Sequence, residues 1–318
     1  MFSRYLSPKN DLSFRKIFGD EKHKGIPIDF LNALLRLEDE DRIVDLEFLN
    51  PNQLPEISSR KVSQVDVMVR DEKGVRYIVE MQVAKNEGFQ ERAQYYASKT
   101  YCAQFGKGGQ YSQLKKVVFL AILDYTLFPE KDRFKSNHRI LDELSKECDL
   151  KGFSFTFIEL SKFKKSLEEL KTIEDKWYYF LKHADKDQKT AQALSDHDEI
   201  KEAYEILNKQ NWSEEEMDQY ERLIMQDADH NGIIDAAKNE GLQKGLKKGL
   251  KKGLEKGREE GRKEGRAKGK EEGREEGEKK KALQIAEAML DVSMQIDKIC
   301  KLTSLSESEV NALKKCRN

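Results

Sequence analysis

Asp66 in V-D-V-M-V and Glu80 and Gln82 in I-V-E-M-Q-V are two carboxylates and an amide set on two short apolar segments. Both segments alternate with period 2, as strands do: Val65, Val67 and Val69 share one parity and Asp66 and Met68 the other. In the second, Ile78, Glu80 and Gln82 oppose Tyr77, Val79, Met81 and Val83. Between them D-E-K-G-V is a turn signal. With Gly74 in the left-handed position of a three-residue loop, Asp71 faces Val75, and counting back along the ladder sets Asp66 across from Glu80. Facing carboxylates repel, so the spacing calls for a positive charge between them, and a divalent cation with oxygen ligands fits that demand. Such an ion polarises a phosphoryl oxygen and activates water, the chemistry of phosphodiester hydrolysis. Alternation points Glu80 and Gln82 to one face with the Met81 carbonyl near the ion, and lets the Gln82 amide orient water or a phosphate.

The elements that must hold these groups are legible in outline. Leu12, Phe14, Ile17 and Phe18 recur at helical spacing with Asp11 as the expected N-cap, a role favoured over a share in the metal site. Ile28, Phe30, Leu31, Leu34 and Leu35 resume the helical pattern. Strands are expected at Val44–Leu49, Val62–Val69 and Arg76–Val83, then a helix over Phe89–Phe105 and an apolar strand Val117–Leu123. A helix at Arg139–Cys148 and a strand at Phe153–Ile158 complete an α-β-β-β-α-β order, an α/β domain with a mixed sheet. Beyond Ser161 the pattern is helical and amphipathic. The expected division is 1–160 for the sheet domain, 161–238 for a helical appendix, 239–281 for a glycine repeat and 282–318 for a small helical module.

Hydrophobic and charged residues each make up 37% of the 318, too polar for the whole length to be packed core. The net charge of -1 hides an asymmetry: residues 241–281 hold 16 Lys and Arg against 9 Glu, a difference of +7, which leaves -8 elsewhere. Four scattered cysteines argue against a disulfide framework, and no apolar leader or membrane-length apolar run occurs, so a soluble cytoplasmic protein without membrane partners is expected. The five histidines show no ligand spacing and are assigned to the surface.

The acidic pair is not isolated. N-D-x-x-F-x-x-x-F at Asn10, Asp11, Phe14 and Phe18, F-x-x-R-x-x-Y-Y at Phe89, Arg92, Tyr95 and Tyr96, and G-x-x-Y-x-x-L at Gly108, Tyr111 and Leu114 surround it. Over residues 5–160 the chain resembles the PD-(D/E)xK nuclease superfamily, and within it the recombination-promoting nucleases, also called PD-(D/E)xK family transposases. The resemblance implies a restriction-endonuclease-like fold with a helical C-terminal extension. It also implies a DNA endonuclease that uses one or two Mg²⁺ ions and promotes recombination. By motif, Asp66, Glu80 and the Met81 carbonyl would be metal ligands, and Gln82 stands where the superfamily usually has Lys. Arg92 and Tyr96 would face the site from the helix, one turn apart, and either supplies the group the Lys-to-Gln departure removes, with Lys85 a weaker candidate. The rival reading is a catalytically weak or inactive DNA-associated oligomeric scaffold.

Glycine recurs every fourth residue from Gly241 to Gly277, ten times. Each would weaken an isolated helix by about 1 kcal/mol relative to alanine, so close packing against a second copy is the expected use, making the protein a homo-oligomer; a frayed linker and a phosphate-contacting basic rod are the alternatives. After it, helices are expected at Ala282–Leu290, Ile296–Leu302 and from Ser306, where Glu309 completes a capping box, a text resembling a small helix-turn-helix.

Overall fold

The hairpin that carries the acidic residues forms around one buried carboxylate. β2 (Val67–Asp71) and β3 (Arg76–Gln82) pair antiparallel, Val67 opposite Val79 and Arg70 opposite Arg76. Asp71, 5% exposed, accepts from the Lys73 and Val75 N–H groups at 3.0 and 2.8 Å and from the Tyr77 hydroxyl at 3.0 Å. Gly74 takes φ 85°, and the Asp71 and Gly74 N–H groups donate to the Val75 and Asp71 carbonyls, both at 3.0 Å. An Asx-type turn of this kind locks the register, and a slip of one residue would send every side chain to the opposite face.

The computed structural model describes residues 3–50, 65–104, 109–186 and 188–315. Val62 to Gln64 of the second expected strand, and Phe105 and Gly108, lie outside the described residues. β1 (Leu46–Phe48) joins β2, while β4 (Val117–Leu123) runs parallel to β3 and β6 (Phe153–Glu159) parallel to β4. β5 (Lys135–His138) pairs antiparallel with β6, giving a mixed sheet in the order β1-β2-β3-β4-β6-β5. All seven β4 residues are buried, as a strand covered on both faces requires, which is why its sequence shows no alternation.

One face of the sheet, with Val69, Val79, Met81 and Leu120, packs on α1 (Asp11–Phe18), α2 (Gly25–Leu35), α4 (Ile173–His183) and α6 (Asp198–Leu207). The other, with Met68, Ile78 and Phe119, packs on α3 (Phe89–Cys102). Trp177, Tyr178, Phe180 and Leu181 of α4 are fully buried in the first of these cores. At about 1.5–3 kcal/mol for each large apolar side chain removed from water, α4 is a wall of the sheet domain. Much of the stretch set apart as an appendix from residue 161 therefore belongs to one compact unit, Met1–Gly232, which also holds α5 (Gln188–Ala193). An amphipathic stripe looks the same whether it covers a sheet or another helix.

Three local readings are corrected. The N-cap of α1 is Asn10, whose side chain accepts from Leu12 N–H, and Asp11 is the first helical residue. No helix forms over Arg139–Cys148; Asp142 instead takes the Leu144 and Ser145 N–H groups at 2.9 and 2.7 Å, Lys146 turns to φ 62°, and Leu144 is left 94% exposed. A side chain that satisfies nearby N–H groups competes with helix formation. Val65 packs with Met68, not with Val67 and Val69, because the chain bends at Asp66.

The second unit, Ile233–Asn318, takes in most of α7 (Glu214–Asp291), together with α8 (Ile296–Thr303) and α9 (Glu307–Lys315). The helix expected at Ala282–Leu290 is the last stretch of α7, and Ala286 packs there with Ile299, Leu305 and Val310. Ser306 and Glu309 form the expected reciprocal cap, at 3.0 Å for Ser306 N–H to the Glu309 carboxylate and 3.4 Å for the return bond.

Candidate active site

Asp66 sits at the bend that leads into β2, and one further step of the β2–β3 register brings it opposite Glu80. Its Oδ2 accepts the Met81 N–H at 2.8 Å, so a side chain takes the place of a ladder carbonyl. In an extended strand the N–H and C=O of one residue project to the same side, so the Met81 carbonyl also leaves toward Asp66. Gln82 turns the other way, its carbonyl accepting Asp124 N–H beyond β4 at 2.9 Å. Asp66 and Glu80 are only 8% and 3% exposed.

A chain of contacts runs out from this pair. Gln82 Nε2 donates to Glu80 Oε2 at 3.1 Å, and Arg92 Nη2 on α3 donates to Gln82 Oε1 at 2.8 Å. Gly88, at φ 76°, opens α3 four residues before Arg92. From α1, Arg15 Nη2 reaches Asp66 Oδ1 at 3.3 Å. Glu80 Oε1 is buried and has no hydrogen-bond partner among the described residues. Burying an ionised oxygen without a partner is costly, so the arrangement is incomplete as it stands.

The electrostatics state the same deficit. Burial pushes the Asp66 carboxyl up to about 6; the Met81 N–H and Arg15 pull against this, and the charge of Asp11 adds to it. Glu80 is pushed up to about 8 by burial and then by Asp66, with Arg92 and Gln82 giving partial relief and Asp11 again opposing ionisation. Three carboxylates thus share one region, and an oxygen-liganded divalent cation fits the donor set and the orphaned Glu80 oxygen.

Of the residues nominated from sequence, Asp66, Glu80, Gln82 and Arg92 are brought together. Tyr96 is not presented to substrate: it is 4% exposed and packs in the core with Phe89, Ala93 and Ala97. Lys85 is exposed on the loop after β3. Two neighbours, Arg15 and Tyr125, were missed, and Asp11, weighed for the metal site but favoured as a cap, bears on both carboxylates. Asp11 and Arg15 are four residues apart on α1, a spacing ordinarily taken for a surface ion pair. The Tyr125 hydroxyl, just beyond β4, is buried without a partner among the described residues; burial raises its pKa and the nearby Arg92 charge opposes that. Nothing in the sequence around Tyr125 points to it.

His197 departs from the surface assignment. Its Nε2 lies 2.8 Å from Asp29 Oδ2 and 3.3 Å from Glu199, and the same Asp29 oxygen accepts Trp177 Nε1–H at 2.8 Å. These bonds tie α2 and α4 to the start of α6, so the cluster is accounted for as a structural tie.

The mixed sheet with an acidic pair at the entry to its central hairpin is a restriction-endonuclease-like fold with a helical extension. Residues 8–237 match the PD-(D/E)XK nuclease family transposases, and residues 279–315 match the C-terminal HTH domain of the Rpn/YhgA-like nuclease family. The chain belongs to the PD-(D/E)XK nuclease family transposases, and is a nuclease by that membership. No curated protein and no solved structure gives a match. No described helix is long and apolar enough to cross a membrane.

Proposed function

We propose that the protein is a cytoplasmic endodeoxyribonuclease that depends on one or two divalent cations, Mg²⁺ in the cell, and whose cut ends promote recombination. The observation that carries this reading is the buried, unpartnered Glu80 oxygen opposite Asp66. Asp66, Glu80 and the Met81 carbonyl would hold the ion, with Asp11 beside them. When bound, the cation supplies a Lewis acid for the phosphoryl oxygen and an activated water.

The chain's own residues do the rest. Gln82, fixed between Glu80 and Arg92, orients the attacking water or a phosphate oxygen through its amide. An amide carries no charge, so the cation that a lysine would bring comes from Arg92, whose guanidinium stabilises charge developing on the phosphate. Lys85, on the exposed loop, contacts the DNA backbone. Plasmid nicking tests the proposal: wild type cuts supercoiled DNA with Mg²⁺, and Asp66→Ala, Glu80→Ala and EDTA-treated protein do not. Equal activity in all four samples defeats it.

The scaffold reading draws on α7. Leu242, Leu246, Leu250 and Leu254 each follow a ladder glycine and are 62–76% exposed. A second copy laid on this face would cover the leucines while the glycines allow close approach. The expected result is a concentration-dependent oligomer in sedimentation that Leu246→Asp with Leu250→Asp reduces to monomer; a monomeric wild type ends this reading.

A further inference from the structure

A second charged surface adjoins the acidic site. Lys9, two residues before Asp11, donates to Asp124 Oδ2 at 2.7 Å, and Asp124 N–H donates to Gln82 O at 2.9 Å, so Lys9 stands at the rim of the site. From there the charges of Lys9, Lys164 and Lys186 all bear on Lys182, near the end of α4. Lys182 and His183 line a cavity of about 260 Å³ with Phe163, Lys164, Ser166 and Tyr179. Tyr179 and His183 lie with ring centroids 4.4 Å apart, and Lys182 Nζ is anchored on the Phe163 carbonyl.

The plain reading is that Lys182 and His183 complement the carbonyl end of α4. That end is equivalent to roughly half a negative charge. Lys9, Lys164, Lys182 and Lys186 exceed it; among the described residues Asp124 and Asp185 are the acidic groups that bear on Lys182 and His183, and Asp175 is taken up by Lys165 at 2.7 Å. Burial, then Lys186 and Lys182, hold His183 down to about 4. Among the described residues the patch is therefore short of anions, and its Lys9 end is two hydrogen bonds from Gln82. A row of cations with an adjacent aromatic shelf suits a polyanion that passes along it, which a single small anion would not need.

We propose that the surface from Lys9 across Lys182 to Lys164 and Lys186 binds the phosphodiester backbone of the DNA strand that leads into the active site. This rests on the nuclease reading and adds the path of the substrate. Lys164 and Lys186 are exposed and free to reach phosphates, while Lys182, held on Phe163, gives a fixed charge at the centre.

The test is fluorescence anisotropy of a labelled 20-bp DNA duplex with the full chain in EDTA, titrated at several salt concentrations. Each phosphate contact contributes about 0.9 to the slope of log affinity against log salt, so Lys164→Ala with Lys186→Ala should lower the slope by about 1.8. Lys164→Arg with Lys186→Arg should retain it, and Lys146→Ala with Lys151→Ala, on the β5–β6 connection, should leave it unchanged. A wild-type slope in the Lys164/Lys186 alanine variant, or no duplex binding by wild type, overturns the proposal. The nicking assay is independent: an unchanged slope with Mg²⁺-dependent nicking removes the track and keeps the nuclease, and a lowered slope without nicking does the reverse.

Discussion

Glu80→Gln offers a test that needs no substrate. A carboxyl whose folded value lies above its unfolded value holds its proton more tightly in the folded chain, so its ionisation opposes folding. For Glu80 the opposition is absent below about pH 4.5, grows as pH rises toward about 8, and is fully present above that. A rise from 4.5 to about 8, at 1.36 kcal/mol per pH unit, amounts to a cost on the order of 5 kcal/mol in alkaline, metal-free protein. Glutamine keeps the shape and can still accept from Gln82, but carries no charge. With about 2–4 °C per kcal/mol for a unit of this size, Glu80→Gln should melt about 10–20 °C above wild type at pH 8 in EDTA, and close to wild type at pH 5. Both tryptophans, Trp177 and Trp212, are buried in the sheet unit, so their fluorescence reports that unit alone. Saturating Mg²⁺ should close about half of the gap, because an ion at about 100 times its Kd adds about 2.7 kcal/mol to wild type and finds no complete site in the variant. A variant that melts at or below wild type at pH 8 without metal would refute the idea that Glu80 is a buried charge awaiting a partner.

Other substitutions separate chemistry from scaffold. Gln82→Ala removes both the donor to Glu80 and the acceptor for Arg92, and should slow nicking by roughly 10²–10³, the usual loss for one transition-state donor, with little change in Mg²⁺ affinity by calorimetry. Gly74→Ala forces a side chain into the left-handed region at φ 85°, with its Cβ 3.1 Å from Lys115 Cγ, so a stability loss of about 1–2 kcal/mol by urea unfolding is expected, without loss of nicking by the folded fraction. Ile299→Ala empties the centre of the small C-terminal core, at a cost of about 2–5 kcal/mol; limited proteolysis should then cut α8 and α9 while the tryptophan melting curve stays unchanged.

What could be read from the chain and what could not divide along physical lines. The hairpin was legible because its register depends on local turn chemistry at Asp71 and Gly74, and so the placement of Asp66 against Glu80 followed. β4 was legible as an uninterrupted apolar run. The wall made by α4 was not, since the partner of an amphipathic face is a tertiary fact. β5 escaped because K-S-N-H is polar and pairs on one edge only. The helix expected after it failed because Ile140, Leu141 and Leu144 have helical spacing but lie exposed, while Asp142 offers a competing turn. Within the site, residues on the hairpin and α3 were found from their motifs. Asp11 and Arg15 join from α1, and only the packing of that helix shows their charges bearing on Asp66.

The most direct measurement is crystallographic: Mn²⁺ soaked into crystals of the metal-free protein and located by its anomalous signal. The account predicts a peak at coordination distance, about 2.1 Å, from carboxylate oxygens of both Asp66 and Glu80, and its loss in Asp66→Asn. A peak confined to Asp29, His197 and Glu199, or no peak beside the orphaned Glu80 oxygen, would contradict it.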